Sequence, residues 1–224
     1  MAGISLVDAL GNLLKIGQDF GAARIENKPI DMQGLGAYTW GGATGILPAA
    51  LGANSEIFQF RWADASRLCL VRKIRISACV TTTFFAAGVP VNIDLIKSTG
   101  WTVAGTGGTA ITPAATLKKR TSMPSTLLAA GDMRIATTAA LGAGTKTLEA
   151  NSLGNVIAPG PITASLNGQI IAPGTILWQA EIGDGEHPLV LVQNEGFSIR
   201  SVAVPATGTW QAAVEVQWAE AVSY

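Results

Sequence analysis

The chain has 224 residues, with 15 basic residues, 15 acidic residues and one histidine, so its formal net charge is zero. Charged residues make up 13% of the chain and apolar residues 48%, whereas ordinary soluble domains are roughly 25% charged. This composition supplies a hydrophobic core and excludes an intrinsically disordered chain, a strongly basic nucleic-acid binder and an acidic tail protein. The sequence also shows neither the run of about 18 apolar residues that a membrane helix needs nor a secretory signal.

The first 36 residues are interpreted as an N-terminal arm or assembly segment. Four leucines in this segment are spaced as on one face of a helix: Leu6, Leu10, Leu13 and Leu14. Ser5 and Asp8 are placed as in a helix-capping box, whereas Gly11-Asn12 interrupts the helical pattern and would equally turn a hairpin. Because the segment is more apolar than a solvated tail, we expect the four leucines to be partner-contact residues, with another subunit as the candidate partner.

Residues 37–224 are predicted to form one all-β domain, an antiparallel β-sandwich of jelly-roll-like type. Apolar and polar residues alternate with a period of two in several segments, as they do in half-buried strands. In chain order these predicted strands are Phe58–Trp62, Leu68–Val80 and Val91–Leu95, followed by weaker ones at Met133–Thr138 and Thr145–Leu148. Long segments rich in Gly, Ala, Thr and Pro are predicted to be extended loops: Gly41–Asn54, Thr102–Thr116 and Ala158–Gly174.

The C-terminal part of the chain shows the clearest strand pattern. The segments predicted to follow one another in an antiparallel meander are Ile176–Ile182, Leu189–Val192, Phe197–Val204 and Trp210–Trp218. The apolar positions change parity between Ile199 and Val202. This change predicts a β-bulge near Arg200-Ser201, because one extra residue moves every later side chain to the opposite face.

The two cysteines, Cys69 and Cys79, are predicted to lie on one continuous strand. Ten residues of strand place them about 33 Å apart, which is several times the span of a disulfide bond. We therefore expect two buried, reduced thiols, as is usual for a protein that is made in a cytoplasm.

No catalytic, metal-binding or cofactor-binding motif is recognised, and the chain is predicted not to be an enzyme. His187 is the only histidine, and it lies in an acidic turn with Asp184 and Glu186. We interpret this turn as solvated rather than as a cation loop or a general acid, since its acidic residues lack the spacing of a calcium loop. The glycine-rich segment Gly105–Thr109 lacks the Gly-Lys-Ser/Thr ending of a phosphate-binding loop and is interpreted as a flexible loop.

Two basic groups stand out in the neutral chain: Arg67, Arg72, Lys73 and Arg75, and then Lys118, Lys119 and Arg120. Each group is interpreted as a solvated face, with a patch that meets an acidic partner or nucleic acid as the functional alternative.

The six tryptophans fall into two classes. Three are in phase with apolar neighbours on predicted inner faces and are expected to be buried: Trp62, Trp210 and Trp218. Trp40, Trp101 and Trp178 lie nearer to loops or strand ends, and Trp40 and Trp101 are predicted to be partner-contact residues. Exposed tryptophans in a groove would instead indicate a carbohydrate-binding module.

Several phrases of the sequence are shared with one class of protein. They are Gly185–Leu191, Asn194–Phe197, Val204–Trp210, and Phe60–Ala65 together with Arg67-Leu68-Cys69. With these phrases, residues 37 to 220 or so resemble a tailed-bacteriophage virion protein. The resemblance implies a structural component of the capsid-decorating (cement) type, and it carries over no functional residues.

We therefore expect a structural, non-enzymatic virion protein that binds the major capsid protein on the outer surface of the shell. A homotrimer is favoured, because capsids have local three-fold axes. No cofactor, metal, nucleic acid or membrane is expected to bind, and assembly in the host cytoplasm agrees with reduced cysteines. Two alternatives stay open: a tail-fibre, receptor-binding or carbohydrate-binding β module, and a hydrolase whose acidic pair the fold brings to about 5–10 Å.

Overall fold

The fold is described from a computed structural model, which covers residues 36–222 except 50, 84, 86–88, 114–116, 120, 159–168, 181–186 and 205. The predicted arm and its four leucines lie outside the described residues, apart from Gly36 at the end of the arm.

Strands dominate the part of the chain that the structure describes. They are β1 (Ala37–Ala43), β2 (Leu47–Pro48), β3 (Ser55–Trp62), β4 (Leu68–Val80), β5 (Val91–Val103), β6 (Thr109–Ile111), β7 (Met133–Ile135), β8 (Thr145–Ala158), β9 (Gln169–Gln179), β10 (Leu189–Leu191), β11 (Glu195–Ala203) and β12 (Thr209–Ala221). The first sheet has the order β1-β12-β4-β10, with β9 also pairing with β4 and β2 with β12. The second sheet has the order β6-β7-β3-β11-β5-β8.

All ten of the described ladders are antiparallel. One hydrophobic core contains buried residues of both sheets, which therefore pack against each other. The prediction of an all-β, antiparallel sandwich is confirmed.

Aromatic side chains on the inner faces join the two sheets. Phe60 on β3 stacks on Phe197 of β11 at a centroid distance of 5.0 Å, and it meets Trp218 of β12 edge-on at 5.5 Å. Such pairs add about 0.5–1.5 kcal/mol each beyond the burial of their area. Trp62 and Trp210 are also fully buried, so the three tryptophans that the alternation placed in the core are there.

The predicted C-terminal meander is wrong. Strands β9 and β10 both pair with β4, whereas β11 lies in the second sheet between β3 and β5. The turn at Gln193-Asn194 carries the chain from one sheet to the other, with Asn194 in the left-handed region at φ 63°. Alternation identifies the inward face of a strand, but both sheets of a sandwich have apolar inward faces, so it does not identify the sheet.

The predicted bulge in β11 is confirmed. Its register shifts between Ile199 and Arg200 against β3, and between Ser201 and Ala203 against β5. After the shift, Val204 packs against the core, as the change of parity requires.

The predicted loops are shorter than expected. In the predicted loop Gly41–Asn54, the first residues belong to β1 and a later pair forms β2. The loop Thr102–Thr116 contains β6, and the end of the loop Ala158–Gly174, from Gln169, belongs to β9. Strand β9 keeps Pro173 because its register against β4 is irregular there, and proline is accepted at bulges and edges. Strand β8 continues past Leu148 to Ala158, but Glu149–Leu153 is exposed throughout, so its sequence lacks the alternation that reveals a strand.

Both cysteines lie on β4 and both are free, as expected for residues ten positions apart on one strand. Cys69 is buried, and burial raises the pKa of its thiol well above the usual range. The prediction that both thiols are buried is wrong for Cys79, which is exposed on the opposite face of the same strand.

The absence of a side chain at Gly196 leaves room for the Phe60 backbone and the Trp101 ring within the second sheet. Its replacement should therefore destabilise the fold. A Cβ atom at this position would overlap the Phe60 carbonyl oxygen and lie 2.8 Å from Trp101 Cε3. Gly196→Ala should lower the free energy of unfolding by about 1–3 kcal/mol, as overpacking does, measured by urea denaturation followed by tryptophan fluorescence. Gly52→Ala is the control, because its Cβ would meet only Ser55 Oγ at 3.7 Å. Equal stability of the two variants would contradict this packing.

Candidate functional site

The outer face of the first sheet is built by the polar positions of β4 and β12. Ile74 and Ile76 of β4 lie opposite Val216 and Val214 of β12, and all four side chains are buried in the core. The alternate positions therefore face outward. They place Lys73 beside Gln217 and Arg75 beside Glu215.

The two basic groups of the sequence partly converge on this face. Lys119 Nζ donates a hydrogen bond of 2.8 Å to Gln217 Oε1. Burial lowers the pKa of Lys119, and the nearby charge of Arg72 lowers it further. Arg75 forms a half-exposed ion pair of 3.4 Å with Glu215. Among the described residues, Lys73, Arg75 and Lys119 thus interact with the Glu215 carboxylate, and Arg72 acts on Lys119. We call this group the basic face: Arg72, Lys73, Arg75, Lys119 and Glu215.

The other members of the two basic groups lie elsewhere. Arg67 accepts a hydrogen bond from Trp62 Nε1 through its carbonyl oxygen, and its charge acts on Glu220. Lys118 forms a backbone bridge with Tyr38 at the edge of β1. Arg120 is outside the described residues.

The second sheet keeps most of its charges in pairs, although Arg134 of β7 and Glu149 of β8 form no ion pair among the described residues. Its ion pairs are Arg61–Asp132 (2.6 Å), Arg200–Asp94 (2.5 Å), Lys97–Glu195 (3.4 Å) and Lys146–Glu56 (2.5 Å). The side chain of each of these residues is mostly or fully buried, and a buried charge requires a partner of opposite charge. The positive excess of the described residues is therefore concentrated on the first sheet.

A shallow, open depression of about 290 Å³ lies next to the basic face. Its lining combines small side chains such as Ala43, Ser77 and Ala213 with the exposed Cys79. Removing water from this surface costs little free energy, because the lining carries few polar groups and no charge. The lining residues supply no acidic pair for hydrolysis.

The predicted partner-contact tryptophans have different environments. Trp40 is half-buried and stacks on Phe58 at a centroid distance of 5.4 Å, so part of its indole stays accessible. Trp101 is 1% exposed, and the Lys146 ammonium lies 3.8 Å from its ring centroid. Its indole thus offers no surface to a partner in this fold. Trp178 is half-buried against the core, so none of the three is the open platform that a sugar-binding module needs.

The predicted acidic turn is only partly described. His187 is exposed, with Nδ1 2.7 Å from the Pro188 carbonyl oxygen, while Asp184 and Glu186 lie outside the described residues. Across the described ranges, no three His, Cys, Asp or Glu side chains come together in a way that would hold a metal ion. The same ranges contain no helix that is long and apolar enough to cross a membrane.

A buried polar cluster on the second sheet was not foreseen from the sequence. The backbone of residues 101–108 and 141–146, which we call the outer ribbon, pairs at Thr106 and Gly142. The Leu141 amide donates to the Glu56 carbonyl oxygen of β3 at 2.9 Å. Under this ribbon, Glu56 contacts Lys146, which is 90 positions away in the sequence. A single sequence carries no signal for a contact of such separation.

A second buried carboxylate, Glu220, holds the segment before β7. It accepts hydrogen bonds from the Thr126 hydroxyl, from the Leu127 amide at 3.2 Å and from Trp218 Nε1 at 3.4 Å. Burial raises the pKa of Glu220 although these bonds oppose the shift. Burial and the Glu220 charge together raise the pKa of Tyr38 to about 12.

Two of the phrases that carry the phage resemblance meet at one corner of the second sheet. The Asn194 amide donates to the Trp62 carbonyl oxygen at 2.7 Å. The Asn194 carbonyl oxygen in turn accepts from the Trp101 amide at 2.7 Å. Asp64 Oδ1 closes the following turn by accepting from the Ser66 and Arg67 amides. The residues of these two sequence segments therefore stabilise the turns at this corner through hydrogen bonds.

Comparison of the chain with protein-family models, curated proteins and solved structures finds no match.

The raised pKa of Glu220 predicts a specific pH dependence of stability. Glu220 binds its proton more tightly in the folded state than in the unfolded state. The fold therefore loses stability as the pH rises from the ordinary pKa of 4.5 through the raised pKa. Glu220→Gln keeps an acceptor for the Leu127 amide but cannot ionise. The variant should therefore gain stability relative to the wild type over this range, measured by urea denaturation at a series of pH values. Parallel pH profiles of the two proteins would show that Glu220 does not titrate in this way.

Proposed function

We propose that the chain is a structural, non-enzymatic virion protein that decorates and stabilises a phage capsid by binding the major capsid protein. The basic face is the observation that carries this proposal. It is a cluster of cations on one side of the described part of the β-sandwich, and the resemblance to tailed-bacteriophage virion proteins supplies the class of partner.

The charges of the basic face suit an acidic region on the outside of the shell. Arg72, Lys73 and Lys119 are the cations of the face that form no ion pair among the described residues. Cations on an exposed rim act mainly on the rate and orientation of association. The small residues around the neighbouring depression would then form the uncharged part of the contact, as in the centre of ordinary protein interfaces.

Assembly into a homotrimer belongs to the same proposal. The sandwich would provide the rigid body, while the segment 1–36, with Leu6, Leu10, Leu13 and Leu14, would extend to another subunit. The jelly-roll-like connection of the strands and location in the virion, after assembly in the host cytoplasm, are parts of this proposal too. Two free cysteines agree with a reducing site of synthesis.

Charge reversal on the basic face tests the proposal. Lys73→Glu should weaken binding to shells assembled from the major capsid protein of the same virus by about tenfold at low salt. Co-sedimentation with the shells measures the effect. The loss should shrink in high salt, because salt screens exposed charges.

Asn151→Glu is the matched control, because it adds a negative charge to an exposed position of β8 in the second sheet. It should bind like the wild type. Equal binding of all three proteins, or equal weakening by both substitutions, would remove the basic face from the proposal.

A further inference from the structure

The cluster beneath the outer ribbon is buried and polar. Lys146 is 2% exposed by its side chain, Gln59 is 1% exposed and Ser198 is fully buried. The ribbon closes over them through the Gly142 carbonyl oxygen, which accepts from Gln59 Nε2 at 3.0 Å. Gly105 must lack a side chain, because a Cβ there would overlap Gln59 Oε1.

One carboxylate oxygen connects an amine with an amide in this cluster. Glu56 Oε2 lies 2.5 Å from Lys146 Nζ and 2.6 Å from Gln59 Nε2. The two nitrogens are thus at most about 5 Å apart. Ser198 Oγ donates to the same oxygen at 2.8 Å and helps to fix its position.

We propose that Lys146 and Gln59 condense into an intramolecular amide cross-link, with Glu56 carrying the protons. The shared oxygen of Glu56 touches both the group that must lose a proton and the group that must leave. This inference is independent of the proposed role in a capsid.

The reaction balances without any further reactant. The Lys146 ammonium gives a proton to Glu56, and the neutral amine attacks Gln59 Cδ to form a new C–N bond. Glu56 passes its proton to Nε2 and takes the remaining surplus proton from Nζ. The bond between Cδ and Nε2 then breaks, and the departing ammonia leaves with the proton held by Glu56. One ammonium and one primary amide have become one secondary amide and one ammonium ion.

The surroundings favour this step over hydrolysis. Burial lowers the pKa of Lys146 although the hydrogen bond to Glu56 opposes the shift, so the reactive neutral amine is easier to form. The exclusion of water removes the competing nucleophile. The fold also holds the reacting groups together, which replaces a bimolecular encounter.

Two unsatisfied atoms indicate what the bond would relieve. Gln59 Oε1 is a buried acceptor and Trp101 Nε1 is a buried donor, and neither has a hydrogen-bond partner among the described residues. The cross-link draws the Gln59 carbonyl towards Lys146, which lies over the Trp101 ring.

Mass spectrometry of the purified, full-length protein tests the inference. The intact mass should be lower than the sequence mass by one ammonia molecule. Because an Asn-Gly step such as Asn167-Gly168 can lose the same mass, a protease digest must also contain the Gln59 peptide joined to the Lys146 peptide. A full sequence mass, or separate Gln59 and Lys146 peptides, would overturn the proposal.

Variants test the roles of Lys146 and Glu56. Lys146→Arg and Glu56→Gln should each restore the full mass and remove the joined peptide. Lys97→Arg, in the ion pair with Glu195, is the control and should keep the joined peptide. A joined peptide that persists in Glu56→Gln would exclude Glu56 as the proton carrier, and the wild-type result decides the matter if a variant does not fold.

Discussion

The pairing of scarce charges is the constraint on which the rest of the structure depends. A buried charge that loses its partner destabilises a protein by about 3–5 kcal/mol, so a chain with few charges must place each one with care. Glu56 and Lys146 meet under the outer ribbon, and Asp94 meets Arg200 across two neighbouring strands. The second sheet holds most of its described charges in such pairs, and the surplus of cations among the described residues is found on the first sheet.

Much of the fold follows from local patterns in the sequence. Strand β4 has the predicted bounds, and the alternation in β3 and β12 identifies the tryptophans of the core. The bulge in β11 is visible as a change of parity. Sheet membership is different, since an inward-facing apolar residue has the same pattern in either sheet of a sandwich. Strand β8 shows the other limit, because exposure on both faces leaves no period of two over Glu149–Leu153.

The candidate site is only partly predictable. The basic residues of β4 are evident in the sequence, but only the fold brings Lys119 to Gln217 and so joins the second basic group to the first. Trp101 has the sequence context of a loop residue, yet it is buried and the Lys146 ammonium lies over its ring. Glu56 and Gln59 lie on an ordinary strand, and their partner Lys146 is 90 positions from Glu56 in the sequence. Contacts between residues so distant along the chain depend on topology, which alternation does not determine.

The central proposal is that the sandwich uses its basic face to cover the shell of a virus. The most direct measurement is the copy number of the chain in purified virus particles, obtained by quantitative mass spectrometry against the major capsid protein. The account predicts amounts that are close to stoichiometric with the shell protein, because every equivalent surface of the shell would be covered. A few copies per particle, as in a tail or a fibre, or no copies at all, would contradict it.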